Sequence, residues 1–256
     1  MQNSAGEGSE GVRSVTRALD LLALFDDSHR SRSIRELIDG TGLAKSTVVR
    51  LVATLEQRGL LWTRGDGRLT PGAGLLRWAR LALDAWQLPP EAAECLRDLS
   101  EAVGGESSRI YIRQGTSRVC VAQHEGTQQL RHVVRIGEEM PLWAGASSHV
   151  LLAGCSTQDV QRTAAAAGRG PEFASVLAER ARRAAEQGWA VSHGEREDGV
   201  SAVAAPITDA DGRIVAAVAL GGPTTRFTQE RIEACLPVLT KAGQRLSDLQ
   251  FIGGNT

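Results

Sequence analysis

The chain has 256 residues, 42% of them hydrophobic and 23% charged, a balance that excludes a disordered polymer and suits one large domain or two modest ones. No apolar run approaches the ~20 residues that span a bilayer. The opening MQNSAGEGSEG lacks the basic and apolar stretches of a secretory signal, so a cytoplasmic protein without membrane contact is expected. The four cysteines, Cys95, Cys120, Cys155 and Cys235, are spaced neither as a disulfide framework nor as a metal-binding pair, which suits a reducing compartment.

Formal net charge is −1, but it is unevenly distributed. Residues 28–70 hold eight Lys+Arg against four Asp+Glu, and the rest of the chain is acidic. A basic module on an acidic body is expected where one part meets phosphates and the other does not.

Residues 1–12 are Gly/Ser/Glu-rich without periodicity and read as a disordered tail. Val15, Leu19, Leu22 and Phe25 then recur at helical spacing and predict a first helix of about three turns. Ser33-Ile34-Arg35-Glu36 has the form of a capping box and opens a second helix, with Ile34, Leu37 and Ile38 inward. Gly40-Thr41-Gly42 forces a turn. A third helix follows from about Ala44 to Arg58, its apolar stripe formed by Val48, Leu51, Val52 and Leu55. Ser46, Arg50, Ala53 and Gln57 lie opposite that stripe, with Thr47, Val49 and Thr54 beside them. LLWTR-GDG-RLT completes the module as a hairpin with Arg64 and Arg68 flanking its tip. Three helices, a tight turn before the third and a basic hairpin make a winged helix-turn-helix over residues 13–72. The stretch Gly40 to Ser46 is not a phosphate-binding loop, since Ala44 stands where glycine must precede the lysine.

Residues 73–90 form a linker helix with Leu75, Leu76, Trp78, Leu81, Leu83 and Trp86 on more than one side, so something beyond its own small domain should bury it. A subunit interface and packing within the chain both fit. After Pro89-Pro90 a helix is expected over 91–103. Three period-2 strands are then expected in SRIYIRQG, RVCVAQHEG and LRHVVRIG. A helix should open at Gly145, with others near 157–167 and 171–187. Three more strands follow in WAVSHGE, GVSAVAAPITD and RIVAAVALGG, and a helix from Thr228 to Gln250 closes the chain. Strands and segregated helices over residues 91–256 describe an α+β domain.

RSVTRALDLLALF, TGLAKSTVVRLVATLEQRGLL, MPLWAGASSHVLLAG and QGWAVSHGEREDGVSAVAAPITDADGRIVAAVALGGP follow, in order and spacing, the IclR family of bacterial transcriptional regulators, which the chain resembles from about Arg13 to Leu249. The Arg- and Ala-rich composition is similar to that of actinobacterial members. The resemblance implies two domains: a largely helical winged helix-turn-helix and a GAF/profilin-like α+β domain that binds an effector. It further implies a homodimer or homotetramer on a double-stranded DNA operator, more often repressing than activating a metabolic operon. A small organic acid or related metabolite would be the controlling ligand. No cofactor is implied.

On this reading Ser46, Thr47 and Arg50 enter the major groove, with Arg50 suited to a guanine edge. Lys45 holds a phosphate, and Arg64 and Arg68 set the wing on the backbone or in the minor groove. In the carboxy-terminal domain the backbone N–H groups of Ala146, Ser147 and Ser148 open a helix and suit a carboxylate. A helix start satisfied by neighbouring protein groups is the plainer alternative. Family members that bind very small oxo-acids line the facing strands with aspartate, cysteine and serines. Ser192, Ala202, Ala219 and Gly221 align with those positions, and three of the four have no side-chain hydrogen-bonding group. A roomier, less polar far end is therefore expected, favouring a larger acid, aromatic or branched, over glyoxylate or pyruvate. His193, Glu195 and Glu197 either gate this pocket or are solvated. His124 and His132 lack a third zinc ligand.

Two other classes stand beside this one. A hydrolase would need a Ser/His pair, for which Ser147, Ser148 and His149 are the candidates, but no G-x-S-x-G elbow surrounds them and no dinucleotide fingerprint is present. A DNA-binding protein with a vestigial sensor would bind its operator without responding to any ligand.

Overall fold

The computed structural model describes residues 12–252; residues 1–11, where the tail is expected, lie outside the described residues. The chain divides into two compact units, one ending at Ala85 and the other beginning at Trp86.

The amino-terminal unit contains α1 (Arg13–Leu22), α2 (Ile34–Thr41), α3 (Lys45–Gln57), the strands β1 (Leu61–Thr63) and β2 (Leu69–Pro71), and α4 (Gly74–Ala85). Leu21, Leu37, Val48, Val52, Leu55, Leu61 and Leu69 form its core. Burial along α1 therefore centres on Leu21, whereas Val15 and Leu19 of the expected stripe are exposed. The capping box at α2 is complete: Glu36 N–H donates to Ser33 Oγ at 3.2 Å, and Ser33 N–H donates to the Glu36 carboxylate at 2.6 Å. Gly42 ends α2 at φ +65°, a left-handed conformation that glycine adopts without steric cost, and sets the turn into α3. The wing pairs Leu61 with Pro71 and Thr63 with Leu69, and an isolated bridge between Arg32 and Leu69 ties it to the segment before α2. No residue of α4 is buried: Leu76 is 72% and Trp78 60% exposed.

The carboxy-terminal unit is built on six antiparallel strands: β3 (Ser107–Gln114), β4 (Ser117–His124), β5 (Glu139–Pro141), β6 (Ala190–His193), β7 (Val200–Thr208) and β8 (Ile214–Pro223). Their spatial order is β5-β4-β3-β8-β7-β6. The helices are α5 (Pro90–Ala102), α6 (Ala146–Ala153), α7 (Thr157–Ala166), α8 (Pro171–Gln187) and α9 (Gln229–Asp248). One core packs Leu96, Leu99, Ile232, Leu239 and Leu246 of α5 and α9 against Ile110, Val203 and Val218. On the other face Val150, Leu152, Val160 and Leu177 of α6, α7 and α8 cover Tyr111, Cys120, Ala204, Ala217 and Ala219. Strand alternation produces both cores, since neighbouring residues such as Val203 and Ala204 point to opposite faces.

One expected strand is absent. LRHVVRIG is a loop, with Leu130, Val133 and Ile136 exposed and only Val134 of its apolar residues buried. Period-2 alternation marks a strand only where a ladder partner exists. The free edge of β4 is taken instead by β5, which pairs Met140 with Arg118.

The capping box has a pH signature. The Ser33 backbone and hydroxyl, with Arg68, hold the Glu36 carboxyl down at about 2. A depressed carboxyl adds stability that is present above its unfolded value, near 4.5, and is lost as pH falls through the folded value. Thermal midpoints of Glu36→Gln, which keeps an acceptor for Ser33 N–H, should lie below wild type at neutral pH. That gap should close as pH falls from about 4.5 to about 2.

Candidate DNA-binding and effector sites

The turn at Gly42 projects α3 with Lys45, Ser46 and Arg50 exposed. Among the described residues no acidic side chain pairs with Lys45 or Arg50. Thr47 is partly buried and lines, with Arg50, Leu51 and Thr54, an open groove against Val15, Ala18 and Leu19 of α1. Arg64 is exposed near the wing tip, 3.9 Å from Asp66. Arg68 is placed differently from expectation. Its guanidinium folds back to Ser31, donating to the hydroxyl at 3.0 Å and the carbonyl at 2.8 Å, and pairs with Glu36 at 3.1 Å. The hairpin brings Arg68 to the α2 side, where the cap carboxylate holds it, so Arg68 fixes the wing to the body.

In the carboxy-terminal unit a small, partly open cavity of about 50 Å³ lies at the start of α6. Of the expected residues it brings together Ala146, Ser147, Ser192, Ala202, Ala219 and Gly221. Ser148 does not line it: its hydroxyl donates to Ala144 O at 2.9 Å and accepts from Arg118. The α6 amino terminus is largely occupied by protein groups. Ala146 N–H donates to Ser192 Oγ and Gly145 N–H to Glu195 Oε2, each at 2.9 Å, while Ser148 N–H turns back to Gly145 O. The Glu195 carboxylate also meets His149 Nε2 at 3.0 Å and Arg180 at 3.3 Å. Burial pushes its carboxyl up, but the bonds from His149 and Gly145 with the charge of Arg180 outweigh it and hold the carboxyl below the usual value. A built-in carboxylate thus sits at the helix end where a ligand carboxylate was expected.

The far end also differs from expectation. It is neither roomy nor apolar, because Arg109 of β3, directly across the ladder from Ala219, enters the space beside Ala202, Ala219 and Gly221. A Cβ on Gly221 would lie 3.8 Å from the Arg109 Nη1 atom. Facing positions on β6, β7 and β8 were compared in the sequence, while the side chain that fills the gap comes from another strand.

Arg109 and Arg118 are 3% and 5% exposed and both line the cavity. Arg109 Nη2 donates to His132 O at 2.5 Å. Arg118 Nη1 reaches Pro141 O at 2.8 Å, Ala144 O and the Ser148 hydroxyl, and its Cζ stands 5.6 Å from the centre of the Tyr111 ring. The Nε atoms of both arginines are buried without a hydrogen-bond partner. Burial lowers the Arg118 pKa to about 10, which leaves it charged at neutral pH. Taking such an ion out of water costs several kcal/mol or more without a counter-charge, an order-of-magnitude figure. Gly145, at φ +99°, admits this packing: a Cβ there would lie 3.0 Å from Arg118 Nη2.

Arg109 and Arg118 were missed because a charged residue in a half-buried strand reads as solvent-facing. Glu195 and Glu197 do line the cavity, with Arg196, while His193 bonds Ser201 at 2.8 Å. His132 meets Arg196 and, at 3.4 Å, Glu197; burial first, then Arg196 and Arg109, lower its pKa. Among the described residues no group of three His, Cys, Asp or Glu side chains stands together as metal ligands. His149 faces Glu195 while Ser148 faces Arg118, so these two do not form a nucleophile–base pair.

Residues 14–65 match the IclR helix-turn-helix domain, and residues 81–248 match the bacterial transcriptional regulator IclR C-terminal domain. The chain belongs to the IclR family. It is 29% identical over 239 residues to the transcriptional regulator KipR of Bacillus subtilis, covering 90% of this chain and 92% of that protein. It is 25% identical over 244 residues to the transcriptional repressor IclR of Escherichia coli, covering 92% and 89%. Among solved structures, an IclR-family regulator from Rhodococcus sp. is 44% identical, with TM-score 0.63 and coverage of 97% of this chain and 98% of that one. The protein is a DNA-binding transcriptional regulator with a winged helix-turn-helix and an α+β carboxy-terminal domain, and its relatives are regulators rather than enzymes.

Glu195→Ala would strip the Gly145 N–H and His149 of their shared partner. A loss of ~1–3 kcal/mol in urea unfolding is expected. Glu195→Gln, which keeps an acceptor for Gly145 N–H, should lose less.

Proposed function

We propose that this regulator binds its operator as a homodimer or homotetramer and that a small organic anion in the α6 cavity changes operator affinity. Repression in the absence of ligand is the favoured mode. The observation that carries the ligand response is the pair of buried arginines around one cavity. A vestigial sensor would gain nothing from keeping two desolvated cations there, since an apolar pair would pack at lower cost.

At the operator, Ser46, Thr47 and Arg50 face the major groove, with Arg50 on a guanine edge, while Lys45 and Arg64 hold phosphates. Arg68 acts by fixing the wing. The exposed Leu76, Trp78 and Leu81 of α4 form an apolar surface suited to a seam between copies.

Fluorescence anisotropy on a fragment of the protein's own promoter tests the DNA reading. Arg50→Ala should cost ~1–3 kcal/mol on the operator and far less on random DNA. Arg68→Ala should weaken both alike and also lower the melting temperature, because a tie within the protein is lost. Equal losses on operator and random DNA for Arg50→Ala would remove it from base recognition.

Light scattering tests the seam. Trp78→Glu should give smaller, folded particles, because an interface core tolerates an unpaired carboxylate poorly. An unchanged mass would return α4 to a role within one chain.

A further inference from the structure

The charges around the cavity do not balance. Arg196 has Glu197 at 3.4 Å and Glu138 at 3.9 Å, and Glu195 has His149 and Arg180. Elsewhere in the unit, buried Glu106 is met by Arg226 through bonds of 2.5 and 2.9 Å. Arg109 and Arg118 are the two buried arginines among the described residues, and no described carboxylate lies within ion-pairing distance of either. Both therefore lack an ion-pair partner, and each has an unpartnered buried Nε.

Their placement matters as much as their number. In the β3–β4 ladder Arg109 stands opposite Gln123, while Arg118 stands opposite Arg113, four positions along β3. Their backbones are therefore ~13 Å apart along the strand direction at ~3.3 Å per residue. Yet both side chains reach the same small cavity, Arg109 at the Gly221 end and Arg118 at the Gly145 end. Tyr111 lies between them on β3, and Ala202, Ala219 and Met140 add apolar surface to the wall.

We propose that the cavity binds a short aliphatic dicarboxylate, one carboxylate paired with Arg109 and the other with Arg118, its carbon chain against Tyr111, Ala202 and Ala219. This rests on the reading of the cavity as the effector site and narrows its ligand to one chemical class. Two separated cations call for two separated anionic groups, and planar guanidinium suits carboxylate. The small side chains at 202, 219 and 221 thus make room for an arginine that replaces their lost hydrogen bonds.

The test is isothermal titration calorimetry of the full-length protein with malonate, succinate, glutarate, butyrate, monomethyl succinate, benzoate and inorganic phosphate. At least one of the three dicarboxylates should bind tenfold or more tighter than butyrate. If that ligand is succinate, monomethyl succinate, which keeps the shape and loses one charge, should fall to the level of butyrate. Arg109→Gln should abolish the dicarboxylate advantage, and Arg109→Lys should restore part of it. No binding by any dicarboxylate, equal binding by butyrate, or tighter binding by benzoate or phosphate would each overturn the assignment. The comparison among ligands on the wild-type protein stands even where a variant fails to fold. Operator anisotropy with the tightest dicarboxylate separates the two claims. Tight binding that leaves operator affinity unchanged would overturn the regulatory reading and leave the ligand assignment standing.

Discussion

A guanidinium removed from water without a carboxylate must satisfy itself on neutral oxygens, and Arg118 does this by gathering a loop around itself. Its Nη1 atom collects Pro141 O, Ala144 O and the Ser148 hydroxyl, so β4 holds in place the whole passage from β5 into α6. The geometry of the cavity follows. Gly145 must be glycine for both its backbone angle and the closeness of Arg118, and α6 can then begin only where it does. Ser148, which belongs by sequence to the helix start, becomes a strut rather than part of the binding surface.

The α6 amino terminus shows how a general tendency is redirected by particular neighbours. Exposed N–H groups at a helix start attract anions, and here the anion comes from the chain itself. Glu195 on the loop after β6 reaches Gly145, with His149 and Arg180 completing its surroundings. What remains for a ligand is the interior between α6 and the sheet, where the uncompensated charge lies.

The amino-terminal unit could be read from its sequence almost throughout, because its signals are local. Ser33 and Glu36 announce a helix start three residues apart, Gly42 announces its end, and the α3 stripe specifies which side faces inward. Arg68 escaped such reading because its partner Ser31 lies 37 residues away. The same holds, more strongly, in the carboxy-terminal unit. The family resemblance grouped Ala202, Ala219 and Gly221, and they line one cavity, yet Arg109 opposite Ala219 depends on the pairing of β3 with β8, over a hundred residues apart. Local pattern also misled at LRHVVRIG, where alternation is present but β5 holds the strand's place beside β4. The candidate site was thus legible in its backbone and not in its charges.

The two edges of the six-stranded sheet are its shortest members, β5 with three residues and β6 with four, whereas its interior strands have eight to ten. An edge so short exposes few unpaired backbone groups, and strand addition from another chain gains little there. Six antiparallel strands rich in valine and alanine would otherwise be a template for uncontrolled sheet extension. Short margins of this kind limit the length over which another strand could pair with β5 or β6.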